Sequence, residues 1–198
     1  SGATSATALF QARKKEDVRA LRALRVNYFL HLDHIDALFR SNQTHADNQG
    51  GVRYPGFDTV FSGHVSPKDK PIIEVIRKTF RKIKKYHTNR NTRVFAPLGV
   101  GNHVDHIIVH NEVSRVFSDQ VVFWEDIPYR SNSERLFSRI AAVNPRRKWM
   151  ARGGFRPHGE ADTKKRAIEA YRTQITGLYQ NGLNGVDFFH EVFYEKKI

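Results

Sequence analysis

Short, almost wholly apolar runs alternate along this chain with stretches of helical period, and no other feature restricts the fold as strongly. Tyr28-Phe29-Leu30-His31-Leu32, Arg93-Val94-Phe95-Ala96 and Val121-Val122-Phe123-Trp124 have the length and content of buried strands. Between them lie helical segments. Val18, Leu21 and Leu24 recur on one side of a helix expected from Ala12 to Leu24. Pro71 suits the first turn of another, in which Ile72, Ile76, Phe80 and Ile83 follow at spacings of four, four and three. Lys and Arg crowd its C-terminal half, where they favour the helix dipole. Further helices are expected from near His103, from Ser133 to Ala141 and from Thr163 to Leu178. The segment Pro145 to Gly159 reads as a basic loop, Ser41 to Val52 as a polar one, and Val186 to Tyr194 as a closing strand or docked tail. Strands buried on both faces and separated by helices predict an α/β domain with a mostly parallel sheet flanked by helices.

In such sheets ligands sit beyond the carboxyl ends of the strands. The segment Pro97-Leu98-Gly99-Val100-Gly101-Asn102 follows a predicted strand and occupies that position. Its two glycines permit a tight turn and close backbone approach. His103-Val104-Asp105-His106 comes next and packs three titratable groups into four residues. At a helix start, His103 and His106 share a face. One neutral imidazole can ligate zinc while another serves as acid or oxyanion stabiliser, and a carboxylate can fix the tautomer of either. Two histidines three apart also occur by chance, as solvated surface groups. The strand and the glycine turn in front of them favour the chemical reading.

Composition narrows the chemistry further. The chain has 198 residues and no cysteine, so disulfides and thiolate catalysis are excluded and any metal must be held by His, Asp or Glu. Its length suits one domain. No apolar run is long enough to span a bilayer, which sets membrane partners aside, and the N-terminal ten residues lack the pattern of a secretory signal; the expected location is the cytoplasm. The net charge is +13. The cations are spread over Arg13 to Lys15, Lys78 to Lys85, Arg146 to Lys148 and Lys164 to Arg166, without the interleaved aromatics of a nucleic-acid stripe. Nucleic acid is therefore not the favoured partner; an acidic surface, an anionic substrate and plain solubility are the other readings of the charge.

Several stretches together resemble the LmbE-like, or PIG-L, family of zinc-dependent N-acetylglucosaminyl deacetylases. Ala12 to Leu24 is similar to the family's R-x-E-D helix, and Leu30 to Arg40 to its HLDxPDAxYR stretch. Ala96 to His106 is close to the second catalytic motif, the most specific of the set. Trp124 to Tyr129 and Ala170 to Gln174 resemble later landmarks. The resemblance implies a Rossmann-like three-layer domain covering residues 1–198. It implies Zn2+, or another divalent metal, as cofactor and removal of an acyl group from an N-acylated sugar or related small molecule. It assigns His106 as a zinc ligand, His103 as the group that stabilises the oxyanion or protonates the leaving amine, and Asp105 as its orienting carboxylate. The family's first motif, a His-Pro-Asp-Asp segment on the N-terminal strand, is missing here. The expectation is accordingly an N-terminally incomplete domain, or one whose first motif comes from a separate chain. A homo-oligomer, a hydratase acting on an unsaturated acid, and a non-catalytic binding protein on the same scaffold are the competing readings.

Other residues are weaker candidates. Asn102, Arg40 and Glu125 are placed near the substrate, with Asp36 and Arg40 read as a loop that shapes the site. Glu125 and Asp126 end a strand and either face the pocket or hydrogen-bond nearby loops. His31 and His34 could replace missing ligands, but His31 reads better as a satisfied histidine on an apolar strand. Arg147, Lys148, Arg152 and Arg156, around Gly153-Gly154, form either an anion-binding lid or a solvated loop. Phe188, Phe189, Phe193 and Tyr194 read as core or as an oligomer contact.

Overall fold

Two of the three predicted apolar runs form strands, and they pair in parallel. The computed structural model describes residues 6–27, 29–41, 51–144, 149–153, 161–178, 183 and 191–196. Its elements, in chain order, are helix α1 (Ala6–Ala23), the single turn α2 (Phe57–Val60), α3 (Lys70–His87), β1 (Val94–Pro97), α4 (Val104–Phe117), β2 (Val121–Trp124), α5 (Ser133–Val143), β3 (Trp149–Gly153), α6 (Ala161–Glu169), α7 (Arg172–Leu178) and β4 (Val192–Lys196). They fall into two compact units, Ser1–Ile35 with Gly154–Glu191 and Asp36–Gly153 with Val192–Ile198.

The larger unit holds the sheet, in the order β1-β2-β4-β3. β1 and β2 are parallel, with Val94 opposite Val121 and Pro97 opposite Trp124. β4 runs antiparallel to both β2 and β3. Three strands thus point one way and one against them, so the sheet is mostly but not fully parallel and the α/β class stands. Val113, Val116 and Phe117 of α4 pack with Ala96, Leu98, Val121, Phe123 and Tyr194 in one core, against which Phe80 and Ile83 of α3 lie. The predicted inward stripe of α3 is therefore the one the structure buries. His110 shares this core. It stacks on Phe123 at a ring separation of 4.3 Å and, through Nδ1, donates to the Pro97 carbonyl at 3.2 Å.

A second cluster joins Ala37, Tyr54, Val60 and Val104. Beside it Asp69, fully buried just before α3, collects three donors. Arg40 donates at 2.7 Å, the Tyr54 hydroxyl at 2.6 Å, and Arg53 closes the group. A buried carboxylate is tolerated only when it is paired and hydrogen-bonded in this way.

The smaller unit corrects two expectations. No strand forms over residues 29–32, and Leu30 is 73% exposed within the described residues. The apolar run has no ladder partner there. It is held by side chains instead: His31 Nε2 lies 2.6 Å from Asp17, and its ring is 5.5 Å from that of Phe29. The helix expected from Thr163 to Leu178 is two helices, α6 and α7, broken at Ala170-Tyr171. Glu16 of α1 causes the second start. Its carboxylate, 2% exposed, accepts from Thr173 N–H at 2.9 Å and from Thr173 Oγ1 at 2.7 Å, capping α7. Tyr171 adds a bond to Asp17 at 2.6 Å.

A third correction concerns the predicted basic loop. Residues 149–153 form β3, whose five positions pair with β4. Arg152 is on that strand and pairs with Glu195, while Arg147, Lys148 and Arg156 lie outside the described residues. Of the four aromatics expected as core, Tyr194 is buried and Phe193 half-buried on β4; Phe188 and Phe189 lie outside the described residues.

Replacing Asp69 leaves two buried or half-buried guanidiniums short of a carboxylate. We expect Asp69→Ala to lower the free energy of unfolding by about 3 kcal/mol in urea titration. A loss below about 1 kcal/mol would show that solvent reaches Arg40 and Arg53.

Candidate functional site

The glycine turn sits where the apolar pattern put it, between β1 and α4. Gly99, Gly101 and Asn102 all have positive φ, of 87°, 85° and 60°. Only glycine adopts such angles freely, and asparagine tolerates them. Space adds a second reason at Gly101: a Cβ there would lie 2.7 Å from Cγ of Tyr129.

One carboxylate holds this turn closed. Asp126, 2% exposed, follows β2. Its Oδ2 accepts from Gly99 N–H at 2.7 Å and from Val100 N–H at 2.9 Å. Its Oδ1 lies 2.6 Å from His106 Nδ1. Because a carboxylate only accepts, Nδ1 carries the proton and Nε2 is left with its lone pair whenever the ring is neutral. Carboxylate–histidine pairs of this kind fix the tautomer and orientation of a metal-ligating imidazole.

His103 is the N-cap of α4, and its Nδ1 accepts the N–H of Asp105 at 3.2 Å. The proton of the neutral ring is therefore on Nε2, which makes His103 a donor at that atom. Its pKa is pushed down to about 4, chiefly by burial and then by the neighbouring His106, so the ring is neutral at pH 7. The two imidazole rings are 5.0 Å apart. Phe61 sits edge-on to His103 at 5.1 Å and 5.3 Å from Tyr129, giving both histidines an aromatic flank.

Asp105 joins His103 through that backbone bond. Its carboxylate is turned to other partners, an ion pair with Arg40 and the N–H of Ala37 at 2.9 Å. Arg40 in turn bridges Asp105 and Asp69. Asp36 caps the short turn at Ala37–Phe39 through Leu38 N–H, 3.0 Å away. One ligand atom from each of Asp36, His103 and Asp105 lies within 4.8 Å of the others, a spacing that admits a metal ion. With His103 Nδ1 taken by the Asp105 N–H and Nε2 protonated, the two carboxylates are the groups of this cluster left to hold a divalent ion.

The structure therefore brings together His103, Asp105 and His106 with Arg40 and Asp36, the two residues read from the sequence as a loop shaping the site. Asn102 is exposed on the turn, its carbonyl accepting from Gly63 N–H at 2.9 Å. Glu125 is committed elsewhere, accepting from the Tyr194 hydroxyl at 2.7 Å and pairing with Arg130 at 3.4 Å. Burial and this bond raise the Tyr194 pKa. The signal that could have singled out Asp126 over Glu125 is the strand's alternation, since adjacent residues point to opposite faces.

No family model and no curated protein matches the chain. Two crystal structures of deacetylases share its fold. One is the zinc inhibited form of teicoplanin deacetylase Orf2, with a TM-score of 0.63 and 19% identity over 94% of this chain and 73% of that one. The other is a deacetylase-bog complex in the biosynthesis pathway of teicoplanin, with a TM-score of 0.67 and 20% identity over 94% and 72%. At these identities the likeness establishes the fold.

Two measurements test the local physics. Gly101→Ala should cost about 2 kcal/mol or more of stability, because it combines a strained φ with a clash against Tyr129; an unchanged urea midpoint would contradict the turn geometry. The histidines set a pH dependence. His103 and His110 are both held near 4, below the 6.5 of the unfolded chain. Between those values the unfolded state binds the extra protons. Stability is therefore complete above about pH 6.5 and is lost as pH falls toward 4. We expect His110→Gln to reduce the difference in unfolding free energy between pH 7 and pH 5 by roughly 1 kcal/mol. An unreduced difference would place the protonation elsewhere.

Proposed function

We propose that this chain is a zinc-dependent deacylase of the LmbE-like, or PIG-L, type, acting on an N-acylated sugar or a related small molecule. The observation that carries the reading is the Asp126–His106 pair, 2.6 Å apart, at the start of α4 and next to a neutral His103. The fold shared with two deacetylases supports it.

Zinc at such a site would polarise an amide carbonyl and lower the pKa of water. His106 would hold it through Nε2, the atom that its bond to Asp126 leaves free, and Asp36 and Asp105, clustered around His103, are the candidate carboxylates. Asp105 is the less available of the two, because Arg40 and Ala37 N–H already occupy its oxygens. A catalytic zinc takes about three protein ligands, and His106, Asp36 and Asp105 are the candidates among the described residues.

The residues of this chain do the rest. His103, neutral and protonated at Nε2, donates a hydrogen bond to the oxygen that gains charge as the amide is attacked. Neutrality suits that task, because a neutral donor keeps its proton while the oxyanion forms, and the proton the leaving amine gains comes from the attacking water. The N–H of Asp105 keeps the ring in that tautomer. Phe61 and Tyr129 exclude water from one side and strengthen these interactions.

The test combines zinc analysis with acetate release from N-acetylglucosamine conjugates. Asp126→Asn should weaken zinc binding by roughly 10- to 100-fold. His106→Ala should abolish both zinc binding and acetate release. His103→Ala should keep the zinc and lower kcat by roughly 100-fold or more. Failure of the wild-type protein to bind zinc would sink the reading in favour of a non-catalytic scaffold. Zinc binding without acetate release, but with hydration of an unsaturated acid, would move it to the hydratase.

A further inference from the structure

We propose that the cleft between the C-terminal halves of α3 and α4 binds a chain of linked phosphates, of the size of tripolyphosphate or the phosphate tail of a nucleotide. The cleft has a volume of about 370 Å³ and is lined by Arg81, Lys84, Lys85, Arg115 and Val116. Four of the five are cations and none is an acid. That volume is at the low end of small-molecule sites, which span about 300–1,000 Å³.

The convergence of four cations on one concave surface marks this cleft out, since other described cations such as Arg22, Lys78 and Lys82 also lack a carboxylate partner. Arg77, one turn earlier on α3, gives its guanidinium to Glu112, at 2.6 and 2.9 Å, and to Glu74 at 2.5 Å. Arg40, Arg53, Arg93 and Arg130 are paired as well. Among the described residues, none of the four cleft cations has a carboxylate partner. Arg81, Lys84 and Lys85 are three and four residues apart and so converge on one side of α3, where like charges at that spacing repel. Complementing the dipole at the ends of α3 and α4 needs only one or two cations. It does not call for four around a concave surface.

The cleft is also rigidly framed. The Arg77–Glu112 pair ties the two helices together ahead of it. Lys84 Nζ donates to the Val116 carbonyl at 2.6 Å, which anchors the ammonium at the floor and leaves two of its three N–H groups for a ligand. Two arginines on different helices offer planar forks that match phosphate oxygens bidentately. Successive phosphates carry charge at the density that four neighbouring cations balance, which a lone carboxylate does not. Arg115 lies nine residues beyond His106 on α4, about 13 Å along the axis at 1.5 Å per residue. The cleft is thus at the far end of the helix that begins with the histidines.

Calorimetric titration of the whole protein with sodium tripolyphosphate tests the proposal, with orthophosphate and a single-stranded oligonucleotide as further arms. All four positions are exposed, so Arg81→Gln with Arg115→Gln should fold, as circular dichroism would check. The double variant should bind tripolyphosphate at least roughly 30-fold more weakly, from about tenfold or somewhat less per lost charge-assisted contact. Lys78→Gln with Lys82→Gln removes the same charge from exposed positions of α3 outside the cleft, and should change binding less than about threefold. Orthophosphate should bind more weakly than tripolyphosphate. Equal losses in the two double variants would mean diffuse attraction to a basic surface and would overturn the site. So would absence of tripolyphosphate binding, or binding of the oligonucleotide alone, which would assign the surface to nucleic acid.

Discussion

Three parts of the larger unit meet on the Asp126 carboxylate. It stands at the end of β2, holds the backbone of the Gly99-Val100 turn with one oxygen, and accepts the hydrogen bond from His106 Nδ1 with the other. Buried at 2% exposure, it is stable only because both oxygens are satisfied. The consequence is a coupling between packing and chemistry. The bonds that keep the turn in its positive-φ conformation also fix the ring that starts α4. A change that loosened the turn would free His106, and a change that removed His106 would leave an oxygen of Asp126 unpaired.

A second network secures the other side of the site. Asp69 sits in the interior with Arg40, Arg53 and Tyr54, and Arg40 extends from it to Asp105. Position 105 is thereby determined from both ends. Its N–H sets the tautomer of His103 while its carboxylate is tied to Arg40 and to Ala37 N–H. Asp105 meets His103 through its backbone N–H, whereas the sequence assigned that contact to its carboxylate. The charge that a side-chain interaction would have lent to His103 goes to Arg40 instead, and His103 is left neutral by its burial.

What was legible in the sequence follows from how local each signal is. β1, β2, α3 and the start of α4 were readable because apolar spacing, a proline and two glycines act within a few residues. The break between α6 and α7 was not, because it depends on Glu16, 157 positions away from Thr173. The strand β3 was hidden for a similar reason. Its composition is basic and loop-like, and it pairs through the backbone with β4, which starts only at Val192. Residues 29–32 show the reverse error: apolar content without a ladder partner does not make a strand. The same division holds for the site. His103, Asp105 and His106 stand together in the chain and announced themselves, whereas Asp36 and Asp126 reach them only through the fold.

Charge is where the two levels disagree most usefully. A net charge of +13 suggests a uniformly basic protein. Folding sorts those cations by function. Arg40, Arg53 and Arg77 are consumed internally by Asp69, Asp105, Glu74 and Glu112, where they neutralise carboxylates that burial would otherwise penalise. Among the described residues Arg81, Lys84, Lys85 and Arg115 receive no such partner, and their mutual repulsion is a standing cost to the folded state. Removing that repulsion without a ligand would stabilise the protein, so the cluster costs stability wherever no anion offsets it. A surface selected only for solubility would scatter those charges, since screening makes separated charges nearly free of cost. Their convergence on one cleft, framed by the ion pair that locks α3 to α4, is the physical ground for assigning them a ligand.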